Sequence, residues 1–292
     1  MKKNERKMIL FSILIIVSIL LTVFRVGYYN YSKSAGNKVA IIDITGTINF
    51  ASETEILKKI ETSINNGFKG ILIKINSPGG TVGSSQSLYN YIKEVRTKNN
   101  IIFGCSIGDI GASGAFYIAM ACDYIVANPG SILGSIGVII PGWDFTEIAK
   151  KLGIKQVNIK SGEMKDSLSP FKELTPSEKK YYQELVLKSY QMFFDDVLAS
   201  RSGKITKEKL KEIADGRVFL GIQAKELGLI DEVGNINTVK NYFRGIFGEV
   251  DFVETESSQM EFIKKLISNS SNIDFINYIN LPLYYYFYRG EN

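Results

Sequence analysis

The fold is first recognisable in residues 110–127, which read Ile-Gly-Ala-Ser-Gly-Ala-Phe-Tyr-Ile-Ala-Met-Ala-Cys-Asp-Tyr-Ile-Val-Ala. This stretch predicts a glycine-rich turn, a buried helix and a short β-branched strand in succession. Small residues flank Ser113 where the helix begins, so its hydroxyl would be accessible and the N–H of Gly114 would lie beside it. Glycines at such corners also occur for tight packing alone. From this stretch by itself, Ser113 is either a nucleophile or a packing residue.

The pattern of strand, turn and helix continues on both sides of this stretch. β-Branched runs predict strands at residues 39–44, 70–75, 101–106 and 124–127. Helical spacing of apolar residues predicts helices at residues 53–66, 84–98, 176–201, 206–214 and 222–227. Regular alternation of this kind is typical of parallel βαβ units, whose loops converge at the carboxyl ends of the strands. The predicted fold class is therefore α/β.

A second glycine-rich turn follows the strand at residues 70–75 and reads Asn76-Ser-Pro-Gly-Gly-Thr. Paired glycines allow backbone N–H groups to point into a cleft without a Cβ in the way. Donors of this kind stabilise the oxyanion of an acyl-transfer reaction. The turn is a candidate oxyanion hole, with tight packing again as the alternative.

The composition excludes several enzyme mechanisms, because the chain contains no histidine. Histidine is the usual general base near neutral pH and the commonest metal ligand. Ser-His-Asp triads, Cys-His pairs and HExxH zinc sites are therefore impossible. A base must come from lysine, a carboxylate or tyrosine, since the hydrophobic leader disfavours a role for the N-terminal amine. No metal and no cofactor is expected.

The rest of the composition describes an ordered globular chain. Of 292 residues, 45% are hydrophobic and 22% are charged, which is enough for one large α/β domain or two modest ones. The net charge of +5 is spread over mixed Lys/Glu runs, which are typical of solvated helix faces and not of nucleic-acid binding. Cys105 and Cys122 lie in apolar stretches without CxxC spacing, so we expect buried thiols there, not a disulfide.

The N-terminus predicts a membrane anchor. Residues 8–24 form an uncharged apolar run after a basic cluster at residues 2–7, and a helix there would span roughly 26 Å at ~1.5 Å per residue. The basic cluster favours a cytoplasmic N-terminus and an extracytoplasmic domain. A cleaved signal peptide is disfavoured, because Arg25-Val-Gly-Tyr-Tyr-Asn-Tyr stands where a small-x-small cleavage site would follow. A buried core helix is disfavoured, because the run is apolar on every face.

Further strings, on both sides of residues 110–127, complete a family pattern. They read Ile75-Asn-Ser-Pro-Gly-Gly, Gly134-Ser-Ile-Gly-Val, Lys160-Ser-Gly-Glu-Met-Lys-Asp-Ser-Leu-Ser-Pro-Phe, Ala214-Asp-Gly-Arg-Val-Phe-Leu-Gly and Ala224-Lys-Glu-Leu-Gly-Leu-Ile-Asp-Glu-Val-Gly. Together they resemble the signal peptide peptidase A (SppA) family, peptidase family S49, of the crotonase-like (Clp-related) superfamily. The resemblance covers roughly residues 38–240.

The resemblance implies a crotonase-like core of repeated ββα and βαβ units with peripheral helices, preceded by one N-terminal transmembrane helix. It divides the chain into a cytoplasmic N-terminus and anchor at residues 1–30, a peptidase domain at residues 38–245 and a C-terminal tail at residues 246–292.

The resemblance also implies roles for individual residues. The nucleophile of the family corresponds to Ser113, and its general base corresponds to Lys165. The serine that orients the lysine corresponds to Ser135. The oxyanion donors correspond to the backbone N–H groups of Gly80 and Gly114. Ala115 stands where a second glycine often follows the nucleophile, and it would narrow the pocket beside the oxyanion hole. Ile110-Gly111 replaces the more usual Met-Ala. These departures bear on substrate preference.

A dyad of Ser113 and Lys165 requires a neutral lysine amine. A free lysine, with a pKa near ~10.4, is deprotonated about once in 2,500 molecules at pH 7, and burial against apolar groups is the ordinary way to favour the neutral form. We therefore expect apolar surroundings for Lys165; without the family motif it reads as a solvated loop lysine. We expect Asp166 to make a local structural contact, because a carboxylate touching the amine would keep it charged.

The resemblance implies a membrane-anchored serine endopeptidase that degrades remnant signal peptides or other peptides at the membrane. Its expected partners are peptide substrates, the membrane and further copies of the chain in a homo-oligomeric ring; nucleic acid is not expected. The expected location is the cell membrane, with a single span and the catalytic domain outside.

Two alternatives remain, a crotonase-like acyl-CoA-binding enzyme and a catalytically inactive membrane scaffold. An apolar stretch at residues 281–288 would pack on its own subunit, between subunits, in a peptide groove or at the membrane.

Overall fold

The computed structural model describes Leu21 and residues 37–255. The predicted anchor at residues 8–24, apart from Leu21, and the apolar stretch at residues 281–288 lie outside the described residues. Within the described ranges, no helix combines the length and the hydropathy that crossing a bilayer requires.

The chain consists of two units, Met1–Glu254 and Thr255–Asn292. All the strands and helices below belong to the first unit. In the second unit only Thr255 is described.

In the described chain, eight strands form one sheet. They are β1 Asn37–Thr45, β2 Gly70–Ser77, β3 Ile102–Ala112, β4 Tyr124–Ala127, β5 Ile132–Gly134, β6 Val218–Leu220, β7 Glu232–Val233 and β8 Val250–Glu254. The order along the sheet is β6-β5-β3-β2-β1-β8, with β4 paired to β3 and to β7. Every pairing is parallel except that of β5 with β6. The predicted α/β class with a mainly parallel sheet is confirmed.

Four of the described helices begin after a polar residue whose side chain caps them, namely Asn49, Thr175, Thr206 and Asn235. The helices are α1 Phe50–Asn65, α2 Val82–Asn99, α3 Gly114–Ala119, α4 Thr146–Lys151, α5 Pro176–Ser200, α6 Lys207–Ile213, α7 Gly221–Glu226 and α8 Ile236–Phe247, with a 3₁₀ turn at Glu163–Asp166. The long helix α5 begins at Pro176 because Thr175 and Glu178 form a reciprocal capping box around that residue. Proline suits the first helical position, where its missing N–H has no intrahelical acceptor to lose.

Helices cover both faces of the sheet, as expected for parallel strands whose alternate side chains point to opposite sides. On one face, α1, α2, α3 and α5 pack against strand residues such as Ile73 and Phe103. On the other face, Val239 and Phe243 of α8 form a smaller cluster with β1, β2 and β4. A Cβ on Gly70 would lie 2.5 Å from Cε1 of Phe243, so glycine is required for this close approach. Because helices cover both faces of the sheet, the carboxyl ends of the strands are where a site can be accessible.

The structure differs from the sequence prediction at the end of β3. Residues 108–112 were expected in a turn, but they continue the strand because Ile110, Gly111 and Ala112 pair with β5. The short strands β5 to β7 carry too little local periodicity to be predicted, since distant partners stabilise them. Helix α8 was also missed, although Ile236, Val239, Phe243 and Phe247 recur in it at helical spacing. Residues 250–254, in the predicted C-terminal tail, form β8 and pair with β1.

Candidate active site

Ser113 lies at the corner where β3 ends and α3 begins. Its backbone has φ 53° and ψ −124°, and a positive φ costs a residue other than glycine about 1–3 kcal/mol. Two hydrogen bonds hold the corner: the N–H of Ser113 donates to the carbonyl of Gly134 at 2.8 Å, and its carbonyl accepts from the N–H of Tyr117 at 2.9 Å. Its side chain is partly exposed at the carboxyl end of β3, where the sequence predicted it.

The glycine turn after β2 lies against this corner. A Cβ on Gly79 would lie 2.7 Å from the backbone nitrogen of Gly114 and 2.9 Å from Cβ of Ser113. Ile48 fixes the turn, because its N–H donates to Gly79 and its carbonyl accepts from Thr81, each at 2.9 Å. The two glycine-containing turns singled out in the sequence therefore meet at Ser113.

The backbone N–H groups of Gly80 and Gly114 lie close together at this meeting point. A Cβ on Gly114 would lie 3.3 Å from the backbone nitrogen of Gly80 and 2.2 Å from Oγ of Ser85. Neither N–H donates a hydrogen bond to any residue that the structure describes. Gly114 is the first residue of α3, and the first N–H groups of a helix have no intrahelical acceptor. Both donors are therefore available to an oxygen bound beside Ser113.

A narrow pocket of about 20 Å³ opens next to Ser113. Its wall consists of Gly80, Val82, Ser85, Ser113, Gly114, Tyr117, Gly137, Val138, Ser189 and Phe193. A cavity needs roughly 10–15 Å³ to hold one water, so this pocket suits only a small group. Tyr117 and Phe193 could not be predicted in this wall, because their helical spacing is that of ordinary core residues.

The floor of the pocket is aromatic and apolar. The rings of Tyr117 and Phe193 stack with centroids 4.5 Å apart at an interplanar angle of 19°. The hydroxyl of Tyr117 donates to Oδ2 of Asp196 on α5. Burial, together with this carboxylate, raises the pKa of Tyr117, so the phenol stays neutral at physiological pH.

Ser135 lies one residue beyond Gly134, whose carbonyl accepts the Ser113 N–H. It has φ 50°, and its own N–H donates to the carbonyl of Arg217 at 2.8 Å. The structure thus holds Ser135 close to the nucleophile candidate through the end of β5.

Lys165 lies apart from these residues. It sits in the 3₁₀ turn Glu163–Asp166, with an exposed side chain. It does not line the Ser113 pocket, and among the described residues no hydrogen bond or ion pair joins it to Ser113. Residues 37–255 do not provide the apolar surroundings expected for Lys165.

The turn that carries Lys165 docks on the N-terminal half of α5. Ser167 is buried and shares a hydrogen bond with the hydroxyl of Tyr182. Ser189, which lines the pocket, is seven residues further along α5, or about 10 Å at ~1.5 Å per residue. The structure therefore gathers Ser113, Gly80 and Gly114 and leaves Lys165 on a neighbouring part of the surface.

Asp166 makes the local structural contact that the sequence predicted. Its Oδ1 accepts from Lys160 at 3.0 Å and from Lys172 at 3.1 Å, and its Oδ2 accepts from Asn158 at 3.2 Å. These hydrogen bonds, led by that from Lys160, lower the pKa of Asp166. Lys172 also donates to Glu178 at 2.7 Å, which ties the segment to the first turn of α5.

The segment at residues 139–174, here called the exposed segment, carries many apolar side chains on its surface. The exposed large hydrophobic residues of this segment are Ile139, Ile140, Trp143, Phe145, Ile148, Leu152, Ile154, Val157, Ile159, Met164, Leu168, Phe171 and Leu174. Val157 is 85% exposed and Ile159 is fully exposed. Contiguous exposed apolar surface is typical of protein-interaction, ligand-binding and membrane-contact sites.

The two cysteines lie away from the Ser113 pocket. Cys105 and Cys122 are buried and not disulfide-bonded, as predicted. Within residues 37–255, no three Cys, Asp or Glu side chains are grouped so as to hold a metal ion.

Comparison with known proteins relates this geometry to proteases. The profile of peptidase family S49 matches residues 97–244, and that of Clp protease matches residues 29–128. The protein slr0021 of Synechocystis sp. is 37% identical over 246 residues, which cover 83% of this chain and 87% of that protein. The chloroplastic serine protease SPPA of Arabidopsis thaliana is 33% identical over 171 residues, which are 58% of this chain but 25% of the longer relative.

A solved structure shares the fold. It is a lysine-to-alanine mutant of the 1510-N membrane-bound stomatin-specific protease in complex with a substrate peptide, and it aligns with a TM-score of 0.53 at 16% identity. The alignment covers 81% of this chain and 100% of that one.

Proposed function

The chain belongs to peptidase family S49 and is a protease of that family, and from this premise we propose that it is a serine endopeptidase with Ser113 as nucleophile. The observation that carries the proposal is the strained corner at Ser113, with φ 53°. Strain of this kind persists where surrounding contacts maintain it, and it is concentrated at active sites. The corner presents a partly exposed hydroxyl beside a pocket and two N–H donors.

The proposed reaction is acyl transfer to Ser113. Oγ attacks the peptide carbonyl, and the oxyanion that forms accepts hydrogen bonds from the N–H groups of Gly80 and Gly114. One such donor contributes about 10²–10³-fold to turnover. Lys165 takes the proton from Oγ and passes it to the leaving amine, and the hydroxyl of Ser135 orients the lysine amine. Water then releases the acyl group by the reverse sequence.

Because Lys165 is exposed in a single chain, we infer that it serves the Ser113 of a neighbouring copy in a homo-oligomeric ring. Interfaces of the head-to-tail type generate rings, and each then joins two different surfaces of the same chain. The exposed segment around Lys165 supplies apolar surface for such an interface. Burying that surface would also supply the apolar surroundings that favour a neutral lysine.

The proposed substrates are peptides at the membrane, remnant signal peptides among them. The narrow pocket beside Ser113 favours a small side chain next to the cleaved bond. Residues 8–24 are proposed to anchor the chain in the cell membrane with the catalytic domain outside. The similar solved protease is itself membrane-bound and was captured with a substrate peptide.

A fluorophosphonate probe tests the nucleophile. The parent should be labelled, Ser113→Ala should not be labelled, and Ser202→Ala, at a serine outside the pocket, should be labelled as the parent is. Labelling together with peptide cleavage excludes the acyl-CoA-binding alternative. An assembled but unlabelled parent would instead indicate the inactive scaffold, and labelling that survives Ser113→Ala would move the nucleophile to another serine.

Mixed rings test whether the dyad joins two copies. Ser113→Ala and Lys165→Ala should each be inactive alone, while rings reassembled from equal amounts of both should regain about a quarter of parental activity. The fraction follows from random assembly, because one interface in four then pairs an intact serine with an intact lysine. Mixed rings without activity would place both residues in one chain.

A second variant tests the interface itself. Ile159→Asp should break the rings without unfolding the chain, because the side chain is fully exposed. Ring formation is measured by sedimentation velocity, and Lys155→Gln in the same segment, which lowers the net charge by the same one unit, is the control. A fully assembled Ile159→Asp ring would contradict an interface at this position.

Topology has its own test. A protease site fused after Asn292 should be cleaved from outside intact cells or spheroplasts. Protection that ends only on lysis would reverse the proposed orientation.

A further inference from the structure

A cleft with basic walls lies at the end of the sheet opposite Ser113. Two adjoining cavities of about 310 Å³ each share Lys93, Arg96 and Asp123. One extends to Lys204, and the other to Ile102 at the start of β3. The cleft and the Ser113 pocket share no lining residue, although Tyr89 of the cleft packs on Tyr117 of the pocket with ring centroids 4.8 Å apart. The cleft is therefore a distinct cavity, and its volume is that of a small-ligand site.

The ammonium group of Lys93 makes only long contacts with its neighbours. Its side chain is 48% exposed, and its Nζ lies 3.9 Å from Oδ1 of Asp196, beyond hydrogen-bonding distance. The Nζ also lies 4.8 Å from the centre of the Tyr89 ring. It donates no hydrogen bond to another described residue, so its donors can serve an anion in the cleft.

The other cations of the cleft outnumber their carboxylate partners. Arg201 and Lys204 share one carboxylate, that of Asp231. Arg96 pairs with Asp123. Arg201 is buried, whereas Lys204 is 48% exposed, so the surplus positive charge is presented at the cleft by the Lys204 ammonium.

The cleft lies at the edge of the sheet where residues 1–36 join the fold. The N–H of Lys69 donates to the carbonyl of Lys38 at 2.9 Å, and the N–H of Ile102 donates to the carbonyl of Lys69 at 3.4 Å. The starts of β1, β2 and β3 therefore form one row. Adjacent strands are about 4.8 Å apart, so the start of β3 is about 10 Å from the start of β1. Only residues 25–36 separate the predicted anchor from β1, which keeps this edge within reach of a membrane surface.

We propose that this cleft binds the phosphate group of an anionic phospholipid headgroup, with Lys93 and Lys204 as its phosphate ligands. The lipid source rests on the proposed membrane anchor, which would hold this edge of the sheet near the headgroups. Lysine ammonium groups bind phosphate as point charges, and basic residues near a membrane favour anionic lipids. The carboxylates at the cleft, Asp123 and Asp231, are each paired with a cation, and Asp251 lies in β8, on the other side of β1. Soluble phosphate compounds offer the same chemistry, so the test separates the two sources.

The test follows thermal unfolding of the full chain in neutral detergent micelles. Phosphatidylglycerol added to the micelles should raise the unfolding midpoint by roughly 3–6 °C at saturation, because a ligand that binds the folded state stabilises it. Lys93→Gln combined with Lys204→Gln should lose most of this rise. Lys58→Gln combined with Lys211→Gln removes the same charge from exposed helix positions outside the cleft and should keep the rise.

Each other outcome overturns part of the proposal. An equal rise in all three proteins means attraction by net charge and no site. A rise with millimolar inorganic phosphate but not with phosphatidylglycerol assigns the cleft to a soluble ligand. If the double variant is unfolded without lipid, Lys93→Gln alone replaces it and should lose about half of the rise. Sedimentation of the chain with membranes tests the anchor separately, so failure of the anchor and failure of the cleft are distinguishable.

Discussion

Replacing Gly79 with alanine tests whether the two glycine-containing turns form one catalytic unit. The new Cβ would lie 2.7 Å from the backbone nitrogen of Gly114, 2.8 Å from the carbonyl oxygen of Ala112 and 2.9 Å from Cβ of Ser113. All three atoms belong to the corner that carries the nucleophile. In addition, φ is +98° at Gly79, which alanine adopts only with strain. Either the turn or the corner must move.

The expected size of the effect follows from these contacts. Backbone strain at Gly79 should lower the free energy of unfolding by about 1–3 kcal/mol. Displacement of the Gly114 N–H should lower kcat/KM by about 10²–10³-fold, the scale of losing one oxyanion donor. Catalysis should therefore suffer far more than folding does.

The assay pairs kcat/KM for a peptide with a small residue at the cleaved bond with urea unfolding of the same samples. Gly83→Ala is the matched control. No atom lies within 4 Å of its new Cβ, and an alanine for glycine in a helix stabilises by roughly 0.5–1 kcal/mol. A folded Gly79→Ala enzyme within about threefold of the parent would refute the coupling of the two turns.

Three further changes have defined outcomes. Lys165→Arg should be as inactive as Lys165→Ala, with kcat reduced at least ~10³-fold between pH 7 and 9, because a guanidinium stays protonated and cannot accept the hydroxyl proton; substantial activity would remove the lysine from the base role. Asp231→Asn should lower the free energy of unfolding by about 3–5 kcal/mol in urea, since buried Arg201 loses its partner. Burial raises the pKa of Asp231, but hydrogen bonds, led by that from Arg201, outweigh this effect, and the pKa is lowered overall. The parent should therefore lose the stability contributed by the Arg201–Asp231 pair as the pH falls below ~3.9, whereas the variant should not. Tyr117→Phe should cost about 1–2 kcal/mol of stability by removing one hydrogen bond to Asp196, which keeps its ion pair with Lys93. The change in kcat/KM should be less than ~10-fold, because the ring stack of the pocket floor remains; a larger kinetic loss would give the hydroxyl a catalytic part.

The sequence was most informative where the signal is local. Strands β1, β2 and β4 are rich in β-branched residues, and the alternation of strands with helices predicts parallel pairing without knowledge of any contact. Parallel pairing brings the loops after β2 and β3 to one edge, which is why Gly80 and Ser113 could be expected together. The contacts of Gly79 with the Ser113 corner match that expectation.

The rest depends on partners distant in sequence. Strand β5 has three residues and pairs with β6, more than 80 positions later, so neither strand carries a recognisable period. The carbonyl of Gly134 and the N–H of Ser113 meet only because β5 extends the sheet beside β3. Helix α5 was predicted, but which of its residues face the pocket depends on its rotation, and Phe193 reads as core either way. The surroundings of Lys165 could not be predicted either. The motif identifies the residue, but it carries no information about which surface contacts it.

The separation of Lys165 from Ser113 has a consequence for control of the enzyme. A single chain holds the nucleophile corner and both proposed oxyanion donors, yet its lysine faces solvent on the exposed segment. Under the proposed mechanism, a base brought by a neighbouring copy makes cleavage a property of the ring and not of the chain. Newly made or dissociated chains would then bind peptides without cutting them, and proteolysis would begin only where the local concentration of anchored chains permits assembly. Confinement to the membrane surface raises that concentration, so the proposed anchor and the split dyad act in the same direction: both restrict cleavage to the membrane.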